Sequence, residues 1–298
     1  MGKNVKSTEL VFNTTVRLTE WQRFRMLFFK RKLVVVGMVL VLFFVFIAIF
    51  GSWLAPYDPY ETNVKAILAK PSRAHLLGTD VLGRDTLSRL IYGAQTALTV
   101  GIIAVTISTA IGTILGLTAG YFGGALSMVI MRCMDMLLSF PMLLLALLIA
   151  SLLGGGIHNV IIALTIGAIA PKARIVHGQS LSTKENDYIL AGRAMGSSNV
   201  RSIFRHILPN VIPTIIILAT MQLGTLILAE AGLSFLGIGI KPPGAAWGSM
   251  INDGYKYLLR NPVLSIAPGA CIMLVVFGFM MVGDGLRDAL DPRLRGTQ

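Results

Sequence analysis

The chain has 298 residues, of which 54% are apolar and 13% charged, and it carries a formal net charge of +12. A mean hydropathy of +0.73 excludes an ordinary soluble domain and puts most of the chain in lipid. The basic excess is explained by membrane topology and attraction to anionic lipid, and no aromatic-interleaved basic patch or nucleic-acid motif is present, so nucleic acid is excluded as a partner.

In chain order, Thr19 and Gln22 have capping-box spacing, and Trp21, Phe24 and Phe28 recur at helical intervals among basic residues. This predicts a short helix lying along the inner membrane surface. Apolar segments follow at 33–54, 97–119, 134–153, 160–176, 211–236 and 263–282, six spans in all. The first is too long for a signal-peptide core and lacks a small-x-small cleavage site at Trp53 to Pro56, so it is expected to remain as an anchor. The fourth is short and is interrupted by Pro171, Lys172 and Arg174, yet charge requires it. With both ends inside, the basic residues of the amino-terminal segment, of Lys172 to Arg205 and of the tail share one side, as the positive-inside bias demands.

These spans divide the chain into a cytoplasmic segment 1–32 with its interfacial helix, a first span 33–54, an extracytoplasmic segment 55–96, a five-helix core 97–288 and a cytoplasmic tail 289–298. The outer segment holds Gly78, Thr79, Asp80, Gly83, Arg84, Asp85, Ser88 and Arg89. Asp85 and Arg89 stand one helical turn apart and are expected to pair, while Leu87, Leu90 and Ile91 form an apolar side, so a capped amphipathic helix is predicted at the outer surface. In the second span Gly112, Gly116 and Gly120 have small-xxx-small spacing, which serves either packing within the subunit or an interface with a second membrane subunit. Arg132 and Asp135, at i and i+3, are expected to pair.

The polar stretch after the fourth span reads as two short helices forming a knob. Ser182 and Glu185 have capping-box spacing for the first helix, Gly196 breaks it, and Ser197, Ser198 and Asn199 are N-cap candidates for the second. Pro209 suits the first turn of the next span. Small residues at Ala191, Gly192 and Ala194 allow a partner close approach, and Arg193, Arg201 and Arg205 keep the knob on the positive side, so this reads as a docking element, the alternative being an ordinary amphipathic loop helix between two spans. Glu230 is the carboxylate set well inside a span. It is either a functional site or a hydrogen-bond partner for a neighbouring helix near the outer end.

Chemistry is conspicuous by its lack of residues. No phosphate-cradling G-x-x-x-x-G-K-[ST] occurs, nor a Ser-His-Asp set, an HExxH or paired catalytic carboxylates, so no catalytic residue and no bound cofactor are assigned. His75, His158, His177 and His206 are scattered and read as solvated or interfacial, and Cys133 and Cys271 read as packing residues, leaving no metal site.

The segment from His75 to Gly93 resembles, almost residue for residue, the stretch before the second span in the dipeptide, oligopeptide and nickel permease branch of ABC importers. Glu230 to Gly237 with Pro242, Pro243, Trp247 and Gly248, and the ending Gly283 to Arg293, extend the likeness from about Leu33 to Arg295. Ala191 to Pro209 is similar to the family's coupling-helix signature, with Leu190 where an acidic residue is usual and Gly192 in place of the second Ala; Gln95 stands where relatives carry Arg. The resemblance implies an all-α polytopic membrane protein of the type I ABC importer permease (MetI-like) fold with six transmembrane helices, and within it the C-type subunit. It implies a non-catalytic subunit that pairs with a homologous permease in a bacterial plasma membrane. Two ATP-binding-cassette ATPase subunits, holding ATP and Mg, would dock on Ala191, Gly192, Arg193, Ala194, Met195, Gly196, Ser197, Ser198, Asn199 and Arg201, and an extracytoplasmic binding protein would deliver the solute. Di- or oligopeptides are the expected cargo; nickel, a metal chelate or another small solute is the alternative. From a different class, an ion-coupled secondary transporter or channel would use Glu230 as its ion site.

Overall fold

The computed structural model describes residues 19–290. Its helices are α1 (Glu20–Phe29), α2 (Lys32–Leu54), α3 (Thr86–Phe122), α4 (Gly124–Leu138), α5 (Met142–Leu153), α6 (Ile157–Lys184), α7 (Asp187–Ala194), α8 (Asn199–Phe235), α9 (Trp247–Tyr255) and α10 (Val263–Leu290). No strand occurs among the described residues; a lone bridge joins Thr79 to Asp85 in the outer segment.

The capping box opens α1 as the spacing predicts: the Gln22 amide donates to Thr19 Oγ1 at 3.3 Å, and the Thr19 amide donates back to Gln22 Oε1 at 3.1 Å. Trp21, Phe24 and Phe28 stack along one side, each pair of rings 5.7 Å apart. Phe28 is buried against α10 beside Gly285, so the helix is pinned to the bundle at its end while Trp21 remains exposed.

Five helices, α2, α3, α6, α8 and α10, are long and apolar enough to cross a membrane. The expected third span, 134–153, is not one straight helix. Its residues are divided between α4 and α5, which meet at 88°, and counting that pair as one broken span restores six. Pro141 explains the break, because its ring disfavours helical geometry at Phe140 and it has no N–H to continue the ladder. Pro171 has no such effect, and α6 runs unbroken through it. The surrounding bundle overrides the local signal there.

α3 is the axis of the bundle, with α6, α8 and α2 packed on it. The glycine stripe decides how. A Cβ at Gly112 would lie 2.9 Å from Lys172 Cβ, one at Gly116 2.6 Å from the Ala173 carbonyl oxygen, and one at Gly120 2.6 Å from Ser180 Cβ. All three therefore seat α6, and the small-xxx-small spacing is used within this subunit. Lys172, read from the sequence as an inner-side charge, instead lies buried in that seam. Its Nζ donates to Ser108 Oγ at 2.6 Å and to the Val105 carbonyl at 3.2 Å. Nearer the outer end Trp247 fills the space between helices: its ring meets Phe44 at 5.7 Å, and its Nε1–H donates to the Leu90 carbonyl at 2.9 Å. Leu42, Phe46 and Ile49 of α2 and Leu144 and Leu148 of α5 are exposed, as side chains are when lipid is the solvent.

Asp135 makes the expected i,i+3 pair with Arg132 and a second, closer one. Arg132 stays 3.9 Å away and largely exposed, while Arg174 of α6 contacts the carboxylate directly. The contact thus joins α4 to α6, since Asp135 faces the neighbouring helix and Arg132 points outward.

Candidate functional site: an outer clamp and an inner knob

The outer motif residues converge on one buried cluster. Two glycines at positive φ, Gly78 (+76°) and Gly83 (+75°), turn the chain so that Asp80 faces the start of α3. Asp80 Oδ1 accepts from the amides of Leu82 at 2.8 Å and Arg84 at 3.0 Å, and its Oδ2 accepts from Arg84 Nε at 2.6 Å. Thr79 Oγ1 accepts from the Ala69 amide at 2.9 Å and donates to the Ala66 carbonyl. Arg89 reaches Asp80 Oδ2 at 3.4 Å and donates to the carbonyls of Pro59 at 3.1 Å, Pro243 at 3.4 Å and Gly244 at 3.5 Å.

The expected Asp85–Arg89 pair is absent. Asp85 is the N-cap of α3: its Oδ2 accepts from the Ser88 amide and hydroxyl, each at 2.8 Å, and its Oδ1 meets His75 Nδ1 at 2.9 Å. An N-cap side chain folds over its own first turn, so it is not available one turn along the helix. The expected capped helix does begin here, at Thr86, and it continues as α3 into the span without a break. The cluster ties the outer segment, α3, and the loop before α9 together. Arg84 at 5% and Arg89 at 2% exposure are too deeply buried to meet a solute.

Glu230 is 1% exposed. Its Oε1 accepts from Ser234 Oγ at 2.6 Å, one turn along the same helix, and its Oε2 has no partner. The expectation of a bond to a neighbouring helix is therefore replaced by one within α8, because Ser234 at i+4 already stands over the carboxyl.

At the opposite end, α6 extends through Ser182 to Lys184, so Ser182 caps nothing, and α7 starts instead after Asn186. Gly196, at φ +86°, makes the predicted bend, with nothing within 4 Å of where a Cβ would stand. Ser198 is the N-cap of the next helix, its Oγ accepting from the Arg201 amide at 3.3 Å. That helix is not separate from the following span. It passes through a π-turn over Ser202–Ile207 and, with Pro209 just beyond, becomes the apolar length of α8.

The knob is seated from beneath and open above. Ile189 and Ile207 are buried with Leu117, Tyr121, Val176 and Val211. Tyr121 links three parts of it: its hydroxyl donates to Asn199 Oδ1 at 2.9 Å, and Lys184 Nζ and the Arg193 guanidinium lie 5.8 Å and 5.9 Å from its ring centre. Sequence reasoning missed Tyr121, which closes an apolar run and carries no local signal. Above, Met195, Val200 and Phe204 are 83%, 66% and 63% exposed. They are apolar groups displayed among arginines, on the side where the positive-inside bias puts the cytoplasm.

The fold is a helical membrane bundle carrying a polar knob at one end, and among the described residues no group of His, Cys, Asp or Glu could hold a metal. Residues 112–296 match the family described as "Binding-protein-dependent transport system inner membrane component", and residues 19–71 match the "N-terminal TM domain of oligopeptide transport permease C". The chain belongs to that inner-membrane-component family and is a C-type permease of an ABC importer. It is 44% identical to the dipeptide transport system permease protein DppC of Alkalihalophilus pseudofirmus, over 89% of this chain and 88% of that one. It is 41% identical to the glutathione transport system permease protein GsiD of Escherichia coli, over 93% and 92%. Among solved structures, an inward-facing form of the MetNI methionine ABC transporter aligns with a TM-score of 0.58 at 20% identity, covering 69% of this chain and 97% of that one, which supports the type I permease fold.

Proposed function

We propose that this chain, paired with a homologous permease in a bacterial inner membrane with both ends cytoplasmic, forms the path for ATP-driven uptake of di- or oligopeptides. The reading is supported by its similarity to permeases named for dipeptide and glutathione, two short-peptide cargoes. The single observation that carries the mechanism is the knob, fixed to α3 through Tyr121 and presenting Met195, Val200 and Phe204 outward. Two ATPase subunits grip this surface, and ATP and Mg bind to them. An extracytoplasmic binding protein delivers the peptide. ATP binding can shift the spans only if it stabilises one of their arrangements over the other, and a rigid helix set in an ATPase cleft provides that difference. The chain itself supplies no catalytic group.

The test is uptake of dialanine into proteoliposomes holding the complete importer and binding protein. Uptake is expected with internal ATP and no ion gradient, and Glu230→Gln, which keeps the reach to Ser234, retains that ATP dependence. Uptake driven by a gradient alone and lost in Glu230→Gln would restore the ion-coupled reading; uptake of nickel in preference to dialanine would replace the cargo.

A further inference from the structure

Beside the knob, α6, α8 and α10 line a cavity of about 500 Å³ that opens toward the knob end of the bundle. That is within the roughly 300–1,000 Å³ typical of small-molecule sites, whereas the space beside Asp80 and Arg89 is about 10 Å³ and holds no more than a water. Ile217, Leu218 and Met221 give the larger cavity an apolar wall. Two polar groups that line it, Asn210 and Arg287, have bonding capacity left over. A third, Gln179, is turned away from it: its Nε2 donates to Thr214 Oγ1 at 2.7 Å and its Oε1 is withdrawn from solvent. Asn210 Nδ2 donates to the His206 carbonyl at 2.6 Å and to the Tyr188 hydroxyl at 3.2 Å, which leaves its Oδ1 as an acceptor. Arg287 stands at the exposed edge without a carboxylate within 4.0 Å among the described residues, its neighbour Asp288 being held by Arg31 at 3.1 Å.

A guanidinium fork and an amide oxygen beside an apolar wall match a compact molecule with a carboxylate at one end, an N–H donor and a small apolar side chain. We propose that this cavity is an exit subsite for a short peptide, in which Arg287 holds the terminal carboxylate and Asn210 accepts from a peptide N–H group. The inference rests on the peptide-import reading and adds to it a place where cargo pauses on the cytoplasmic side.

The test uses the full importer in phosphatidylcholine nanodiscs, without binding protein, carrying Leu218→Cys with Cys133 and Cys271 replaced by Ala. The rate of maleimide alkylation is measured against dialanine and against dialanine amide, which lacks the carboxylate. Dialanine is expected to protect, with a half-protecting concentration about tenfold lower than that of the amide, the worth of one charge-assisted contact. Arg287→Gln should erase that difference, and Arg287→Lys should recover part of it. Equal protection by the two probes would overturn the proposal. So would protection in phosphatidylserine discs without peptide and none by dialanine in phosphatidylcholine discs, which would assign the cavity to a lipid headgroup. ATP-driven dialanine uptake by the same variant, with binding protein restored, separates the two readings. Uptake without protection sinks the subsite alone, and loss of both sinks the subsite together with the peptide cargo. Arg287-dependent protection without uptake keeps the subsite and removes the cargo assignment.

Discussion

Tyr121 at the end of α3 donates its hydroxyl to Asn199 Oδ1, 2.9 Å away at the start of α8, and so bridges the base of the knob from one helix to another. Lys184 and Arg193 cover the same ring, which makes one side chain the junction of α3, α6, α7 and α8. In the proposed mechanism this junction is the route by which movement of the knob reaches the central helix of the bundle.

Tyr121→Phe removes one hydrogen bond, worth about 1 kcal/mol, and keeps the ring under the two cations. Assembly should persist with a modest fall in peptide molecules imported per ATP hydrolysed. Tyr121→Leu removes the ring as well and should lower that ratio further. A ratio unchanged in both variants would show that the junction transmits nothing.

Gly196 occupies left-handed backbone, where a residue with a Cβ is strained by roughly 1–2 kcal/mol and a β-branched one by more. Gly196→Val should insert in the membrane normally yet lose peptide-stimulated ATP hydrolysis, while Gly196→Asn, which tolerates this conformation, keeps most of it. Nothing in this chain lies within 4 Å of an added Cβ, so the strain is in the backbone and not in a clash of that atom within the subunit. Wild-type hydrolysis in the Val variant would refute a role for the bend.

The α3–α6 seam predicts opposite outcomes for two glycines. At Gly116 even a methyl group would stand 2.6 Å from the Ala173 carbonyl oxygen, whereas at Gly269 it meets nothing within 4 Å. Gly116→Ala should lower the thermal midpoint of the purified complex by pushing the helices apart. Gly269→Ala should leave it unchanged or raise it, by the helix propensity of about 0.5–1 kcal/mol. Equal midpoints for the two variants would contradict the close approach.

Topology is checked with single cysteines in a background lacking Cys133 and Cys271. Leu76 is 63% exposed in the outer segment, and Ser198 is exposed on the knob. Leu76→Cys should react with an impermeant thiol reagent from outside and Ser198→Cys from inside. Labelling of both from one side would reject the arrangement with both ends in the cytoplasm.

What the sequence by itself determined is what short-range chemistry specifies. Apolar runs marked the membrane helices, Thr19 and Gln22 marked the start of α1, and Gly196 and Ser198 marked the bend and the cap beyond it, since each depends on residues within a turn or two. Tertiary structure decided which of several equally polar neighbours become partners. Asp80 rather than Asp85 holds Arg89, Arg174 joins Arg132 at Asp135, Ser234 on the same helix holds Glu230, and Lys172 turns into the α3 seam. It also decided that Pro141 breaks a span while Pro171 does not, and it assembled the Tyr121 junction and the cavity edged by Arg287. These choices turn on how helices far apart in the chain face one another, and spacing along a single helix carries no information about the distance across to the next.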